Sequence, residues 1–336
     1  MSRNLLVAVG SICLAVIVVA ASLLIGTADI TVREVVSILA SGRGDASTMH
    51  RIVWDLRMPR GLLAFFVGGG LAVVGVGMQA LVRNPLAEPY ILGVSSGASA
   101  GAALFYLGFL PAVVSQSVSM PVAAFIGGLG SLILVYLVAR TRTHISVTRL
   151  LLAGVAMSAL MGAVTAFITF ASPDPARLRA VLFWLMGSLG GARWDVLWIP
   201  MAVSLIGFLV LLMMSRGLDA LLLGEEQAWN LGMSVERLKH VLLVLAAFIT
   251  GPLVAAVGVI GFVGLIIPHI VRMLVGVRHT PLLISSYFLG GAFIAATDAI
   301  ARSLLHAQEL PIGVLTAICG VPFFLWLLRS SHYRFG

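Results

Sequence analysis

Residues 60–82 read RGLLAFFVGGGLAVVGVGMQALV, and no charged side chain occurs in this stretch between Arg60 and Arg83. A helix needs about 20 consecutive apolar residues to cross the hydrocarbon core of a bilayer. The stretch meets that length and is too apolar to cover the surface of a soluble domain. Residues 60–82 therefore predict a membrane-spanning helix.

The rest of the chain repeats this pattern. Of its 336 residues, 60% are hydrophobic and 10% are charged, whereas soluble domains carry about 25% charged residues. The apolar runs cover residues 5–26, 60–82, 93–107, 120–139, 148–170, 195–214, 240–258, 262–274, 281–301 and 311–329. We predict an all-α polytopic membrane protein with about ten transmembrane helices in a single domain, 1–336.

Two of these runs, 93–107 and 262–274, are short for a full crossing. Non-helical backbone at membrane depth is tolerated only where protein or a cavity covers it, so a sheltered core is expected around both. The run that follows Arg3 allows two interpretations, a cleaved signal peptide or a retained first span. It exceeds the apolar core of about 7–15 residues that signal peptides have, which favours the span.

The basic residues predict the topology. The formal net charge is +8, but the arginines stand singly between apolar runs and form no patch suited to nucleic acid. With ten spans, the short loops on the side of the termini hold more of them, and the long loop 27–59 lies on the other side. Because short cytoplasmic loops are rich in Lys and Arg, both termini are predicted to be cytoplasmic and loop 27–59 periplasmic.

Glycine and sequence similarity within the chain give two weaker signals. Segments 68–85 and 251–268 align without gaps and share Gly, Ala, Val and Pro positions, as an inverted repeat of a transporter would, although chance also explains the matches. Small residues spaced four apart predict close helix packing. They occur at Gly93, Gly97 and Gly101, and at Gly154, Ser158 and Gly162.

Several kinds of chemistry are absent from the sequence. The only lysine, Lys239, lies in Arg-Leu-Lys-His, so the chain holds no Gly-x-x-x-x-Gly-Lys-Ser/Thr loop for a nucleotide phosphate. His-Glu-x-x-His, Cys-x-x-Cys and Gly-x-Ser-x-Gly motifs do not occur, and Cys13 and Cys319 lie singly inside apolar runs. We expect no enzyme activity, no metal site and no cofactor.

The segment Arg57-Met58-Pro59-Arg60 places two arginines around a proline that starts a helix. Arg302, at the same predicted end of another span, could join them. Two plainer interpretations stay open. The arginines could extend to the membrane interface like any other, or Arg302 could pair with Asp298, one helical turn earlier.

The stretch 218–232, LDALLLGEEQAWNLG, predicts two short helices with a bend at Gly224. Glu225 and Glu226 fall in the first turn of the second helix, where the helix dipole favours acids. An apolar helical loop between spans indicates a protein partner. The alternative is a helix lying on lipid, which its acids disfavour because anionic headgroups attract basic residues.

The segment 83–89, RNPLAEP, closes the second span with two prolines and a turn residue. It suits either a gate or a tight connection. His269 follows Pro268 inside an apolar run. A histidine beside a helix break more often satisfies a freed backbone group than binds a haem or a metal.

Taken in this order, these segments resemble the permease subunit of ABC importers for iron chelates, haem and cobalamin. The resemblance runs from Arg57 to Leu328. Within this range it rests on the segments described above and on residues 92–95, 261–269 and 309–313. It implies a permease domain that forms a homodimer around a central path, lined by spans five and ten, in the bacterial inner membrane. It further implies two cytoplasmic ATPase subunits, which would bind the ATP and Mg²⁺, and a periplasmic substrate-binding protein.

The resemblance also implies roles for particular residues. Arg57, Arg60 and Arg302 match arginines that dock the binding protein. The residues that match the ATPase coupling segment are Leu221, Gly224, Glu225, Glu226, Ala228 and Gly232, with Gln227 in place of an alanine. The residues that match the cytoplasmic gates are Asn84, Leu86, Val147 and Thr148.

The expected cargo is a bulky iron compound, haem first and a ferric siderophore second, and cobalamin is the alternative within the same family. An ion-coupled secondary transporter is the alternative from another class. It would need carboxylates or histidines inside the membrane, and the spans offer Asp298 and Glu309 near their ends and His269 within one.

Overall fold

The computed structural model describes residues 3–26, 28–42, 47–141, 145–172, 174–304 and 309–329, with the backbone alone at 112, 114 and 115. Its helices are α1 Arg3–Ser22, α2 Val32–Ser41, α3 Thr48–Arg51, α4 Met58–Val82, α5 Val94–Tyr106, α6 Ala112–Ser117, α7 Met120–Ala139, α8 Val147–Phe170, α9 Pro175–Leu185, α10 Trp194–Met213, α11 Ser215–Leu222, α12 Glu225–Asn230, α13 Val235–Val257, α14 Val263–Val275, α15 His279–Leu304 and α16 Ile312–Arg329. A π-helical turn, Ile52–Arg57, joins α3 to α4, and a 3-10 turn, Pro89–Leu92, precedes α5.

Each of the ten predicted apolar runs forms a helix. Eight of them are long and apolar enough to cross a membrane: α1, the continuous segment from α3 to α4, α7, α8, α10, α13, α15 and α16. The other two, α5 and α14, have 13 residues each. At 1.5 Å per residue each rises only about 20 Å, short of the roughly 30 Å hydrocarbon core, so the prediction that both are incomplete crossings is confirmed.

Helix α4 is the centre of the fold. In the continuous segment from α3 to α4, 83% of an 18-residue apolar stretch is buried inside the protein. Its glycines make this burial possible. A Cβ at Gly68 would lie 2.1 Å from the carbonyl oxygen of Gly290 in α15, and one at Gly75 would lie 2.0 Å from that of Gly264 in α14. Only glycine permits these two backbones to approach α4 so closely.

The two predicted small-residue rows behave differently. Cβ atoms at Gly97 and Gly101 would lie 2.4 Å and 2.3 Å from carbonyl oxygens of α7, so α5 and α7 pack as predicted. In α8, Gly154 fits against the backbone of Ile91, but Gly162 has nothing within 4 Å. The second row is therefore wrong as a packing ridge at Gly162, because among the described residues only Gly154 of its two glycines fits closely against another segment, the 3-10 turn before α5.

The order of helix lengths supports an internal repeat. Helices α4, α5, α7 and α8 have 25, 13, 20 and 24 residues, and α13, α14, α15 and α16 have 23, 13, 26 and 18. The gapless alignment of 68–85 with 251–268 is wrong in detail. Helix α4 continues to Val82, whereas α13 stops at Val257 because Gly258 takes φ +75° and Phe262 φ +69°.

The helices define two ends of the molecule. The indole of Trp194, at the start of α10, donates to the backbone oxygen of Trp54 beside the start of α4. At the opposite end of α15 from Arg302, His279 contacts Asp219 of α11. Following the predicted topology, we name the end with Arg302 the outer end and the end with α11 and α12 the inner end.

Candidate functional site

The outer end gathers the three predicted arginines into one cluster. Arg57 is 5% exposed. Its guanidinium donates to the backbone oxygens of Leu23 at 2.7 Å, Leu24 at 3.1 Å and Ala28 at 2.6 Å. Carbonyl groups at the end of a helix lack partners within it, so Arg57 supplies donors where the chain leaves α1.

Arg302 holds the same end of α1. It donates to the backbone oxygens of Ile25 at 2.9 Å and Ser22 at 3.1 Å. Its Nε also lies 3.0 Å from Oδ2 of Asp298, so the ion pair that the spacing allowed is present. Because Arg302 is buried, its charge is compensated inside the protein and not at the membrane interface.

Arg60 completes the outer cluster, which we define as Arg57, Arg60, Arg302, Asp298 and Glu309. Its Nη2 donates to Asp298 at 2.9 Å, and Nη1 and Nη2 reach the two carboxylate oxygens of Glu309 at 2.8 and 2.9 Å. The side chain of Asp298 is 1% exposed, that of Arg60 12% and that of Glu309 43%. The arginines come together as predicted, but the chain's own acids and backbone oxygens hold them.

The inner end confirms the predicted pair of short helices. Helices α11 and α12 meet at Gly224, whose φ of +109° makes the bend, and Gly232 closes the segment at φ +82°. Among the predicted coupling residues, Leu221 and Ala228 are 2% and 0% exposed, whereas Glu226 and Gly232 are exposed. Leu221 and Ala228 therefore fix the loop in place, whereas Glu226 and Gly232 lie on its surface.

Three bulky apolar side chains of this loop, which no sequence motif singled out, are exposed. Leu223, Trp229 and Leu231 are 60%, 71% and 66% exposed. We name these three exposed side chains of one loop the inner apolar patch. Three bulky apolar residues in a segment between spans were the available signal, because isolated exposed apolar residues are common but clusters mark interaction sites.

Lys239, whose sequence context excludes a nucleotide site, is buried, with 2% of its surface exposed. Its Nζ lies 2.6 Å from a carboxylate oxygen of Glu225, 3.0 Å from one of Glu236 and 3.5 Å from the backbone oxygen of Ile145. Glu236 also accepts from the backbone N–H of Ile145 at 2.8 Å. The lysine thereby joins α12 and α13 to the segment that precedes α8.

The two predicted gate segments both lie at the inner end. The side-chain oxygen of Asn84 accepts from the backbone N–H of Leu86 at 2.9 Å, and the backbone N–H of Asn84 donates to the backbone oxygen of Gln79 at 3.1 Å. This geometry makes a tight connection after α4. Val147 and Thr148 form the first turn of α8, capped by Ser146.

Glu88, a partly buried carboxylate that no sequence pattern singled out, joins the connection after α4 to the break between α13 and α14. Glu88 accepts a hydrogen bond from the backbone N–H of Phe262, directly before α14, and the hydroxyl of Tyr90 donates to the oxygen of Ile260 at 3.0 Å. The Asn84–Pro89 connection is thus attached to the break between α13 and α14. Glu88 serves a backbone group there, which accounts for its presence at this depth.

His269 lies in the core and is 1% exposed. Its ring packs edge-on against Phe323 of α16 with centroids 5.7 Å apart. Within the described residues, no group of three or more His, Cys, Asp and Glu side chains is arranged to hold a metal ion.

Two of the least buried long helices are those predicted to line the path. Only 22% of the most apolar window is buried in α8 and in α16, against 61% in α13 and 67% in α15. Large faces of α8 and α16 are therefore left for lipid, another chain or a cargo.

The chain was compared with known proteins. The sequence profile of the FecCD transport family matches residues 14–330. The chain is 44% identical to the cobalamin import system permease protein BtuC of Halobacterium salinarum, over 87% of this chain and 77% of that protein. It is 42% identical to the hemin transport system permease protein HmuU of Yersinia pestis, over 86% of each. An inward-facing structure assigned to a metal-chelate type ABC transporter superposes with a TM-score of 0.83 at 33% identity, covering 96% of this chain and 98% of the other.

Proposed function

Because this chain belongs to the FecCD transport family, we propose that it is the transmembrane subunit of a binding-protein-dependent ABC importer. Its cargo in this proposal is a bulky iron compound, haem or a ferric siderophore, carried across the inner membrane. Cobalamin is the second candidate, since the relatives named for cobalamin and hemin are 44% and 42% identical to this chain, a difference too small to separate them.

The inner apolar patch is the observation that best supports the dependence on a partner. Soluble surfaces seldom leave a Trp and two Leu side chains together in water, and the acids of α12 disfavour anionic lipid. A cytoplasmic ATPase subunit that covers Trp229 and Leu231 and contacts Glu226 and Gly232 would bury this surface. Movement of α12 would then report the nucleotide state to the permease.

The weak burial of α8 and α16 supports a homodimer around a central path. Two copies related by a two-fold axis would cover part of these faces and leave the rest to line the path. In the proposal, Asn84 and Leu86 with Val147 and Thr148 close the inner end of that path. An apolar path needs few polar groups for a bulky cargo, because the cargo's size and shape can supply the selection.

At the outer end, the outer cluster is proposed to receive the binding protein. Three arginines against two acids leave one positive charge per copy, and two copies present it to the two lobes of one binding protein. Arg60 is the member best placed for contact, since Glu309 is half-exposed and an acid of the partner can take its place. Arg57 and Arg302 act in this proposal by fixing α1 and Asp298. Such charges set orientation and association rate more than affinity.

Reconstitution tests the proposal. The permease is placed in liposomes with its ATPase subunits, the binding protein is added outside, and uptake of haem, a ferric siderophore and cobalamin is measured separately. We expect uptake of one of the iron compounds only when all three components and hydrolysable ATP are present.

Three controls decide between the alternatives. A non-hydrolysable ATP analogue should stop uptake. Uptake by the permease alone that follows an imposed proton or sodium gradient would establish the secondary transporter instead. Uptake of cobalamin with no uptake of either iron compound would establish the cobalamin importer.

A further inference from the structure

Lys239 lies where three segments of the inner end meet. Its Nζ contacts Glu225, the first residue of α12, and Glu236 in the first turn of α13. It also lies 3.5 Å from the backbone oxygen of Ile145. Buried charges are stable only when they are paired and hydrogen-bonded, so these segments must keep their acceptors around the lysine together.

Ile145 is held from both sides. Glu236 accepts from its backbone N–H, Lys239 approaches its backbone oxygen, and its side chain is 1% exposed. Its backbone also forms a bridge with Arg140. Ile145 precedes Val147 by two residues, so any shift of Lys239 or Glu236 acts directly on the start of α8.

The side-chain type fits this task. Of the 21 Lys and Arg residues in the sequence, 20 are arginines and Lys239 is the single lysine. An ammonium group offers three donors in different directions, which matches three acceptors on three segments. A planar guanidinium directs its donors in one plane and suits a pair of oxygens on one carboxylate.

We propose that Lys239 is a positioning residue that transmits movement of α12 to the start of α8. The inference rests on the function proposed above, in which an ATPase subunit moves α12. When α12 shifts, the Glu225–Lys239 pair pulls on the Glu236–Ile145 contacts, and Val147 and Thr148 follow. The partner then controls the inner gate without touching it.

Lys239→Met, which keeps the length and removes the charge, tests this in the reconstituted importer. We expect the variant to bind the ATPase subunits and hydrolyse ATP as the wild type does, while cargo moved per ATP falls by about tenfold. Arg237→Gln, an exposed position on the same helix, should leave that ratio unchanged. An unchanged ratio in Lys239→Met overturns the inference, and so does loss of the ATPase from the purified complex.

A second variant and a local probe separate transmission from simple structural support. Glu225→Ala removes the acceptor on the α12 side and leaves Glu236 in place. It should lower the ratio by a similar factor, and the double variant should be no worse, because both act in one linkage. Additive losses overturn the inference.

The probe is a fluorophore on Thr148→Cys, with Cys13 and Cys319 replaced by serine. Its ATP-driven signal should vanish in Lys239→Met, and a full signal there overturns the inference. A failure of the proposed function looks different, since wild-type uptake would then not require ATP at all.

Discussion

The outer cluster and the inner end both concentrate charge, but they use it differently. In the outer cluster, each of the three guanidinium groups donates to backbone oxygens or acids of this chain, and Asp298 is 1% exposed. At the inner end, one lysine joins three segments while Leu223, Trp229 and Leu231 remain uncovered. The charges of the first region are paired within the chain, whereas the second leaves apolar side chains exposed that the proposed ATPase subunit would cover. Substitutions of the buried members of the first should therefore change mainly stability, and substitutions of the exposed members of the second should change mainly binding.

Asp298→Asn should have the largest effect. It leaves the buried Arg302 and the partly buried Arg60 near one another without the carboxylate that pairs with both. Breaking a buried ion pair by removing one partner costs about 3–5 kcal/mol. We expect a lower midpoint of thermal unfolding for the permease in detergent or nanodiscs, together with lower expression.

Asp195→Asn is the matched control for that prediction. Asp195 pairs with Arg193, but both side chains are about two-thirds exposed, and exposed pairs contribute little because water screens them. Its midpoint should equal that of the wild type. An Asp298→Asn midpoint equal to that of Asp195→Asn would contradict the idea that the outer cluster stabilises the fold.

The sequence predicts helices far better than it predicts the partners of charged groups. Apolar runs located every long helix, because lipid demands about 20 uncharged residues per span. The arginines of 57–60 were also brought together with Arg302 as predicted. Apart from Asp298, whose pair with Arg302 the spacing allowed, their acceptors were not foreseeable, because the carbonyl groups of Ser22, Leu23 and Ala28 become available only where α1 ends in space.

Two polar groups illustrate the same limit. Glu88 lies in a segment that was interpreted as either a gate or a tight connection, and its contact with Phe262 joins residues 174 positions apart. Lys239 was noticed for its rarity, yet nothing in Arg-Leu-Lys-His indicates that Ile145 lies beside it. Hydrophobic periodicity is local, while polar satisfaction is decided by packing between distant segments.

The second prediction concerns the inner apolar patch. Trp229→Ser should weaken binding of the ATPase subunits by about 30-fold, the size expected when a central aromatic contact worth about 2 kcal/mol is lost. The unfolding midpoint of the permease alone should not change, because Trp229 is 71% exposed. Binding is measured by titrating labelled ATPase onto the permease in nanodiscs.

Trp198→Ser controls for the loss of an exposed tryptophan, since Trp198 is 57% exposed near the outer start of α10. It should leave ATPase binding intact. A Trp229→Ser permease that binds the ATPase normally would remove the inner apolar patch from the interface. The exposed apolar side chains would then no longer distinguish the inner end as a binding surface.

The smallest effect is expected for Glu309 in the outer cluster. Glu309→Gln removes the half-exposed acid that occupies two donors of Arg60 and leaves the buried Asp298 pair in place. If Arg60 serves docking, this variant should associate with the binding protein several-fold faster at low salt, because rim charges act mainly on association rates. Added salt should reduce the gain, since about 0.15 M salt screens exposed charges beyond about 8 Å.

Asp195→Asn adds the same charge at the outer end but outside the cluster, and should give a smaller gain. Stopped-flow association at several salt concentrations measures both variants. Equal rates for the two would mean that only net charge matters, and that Arg60 does not receive the partner.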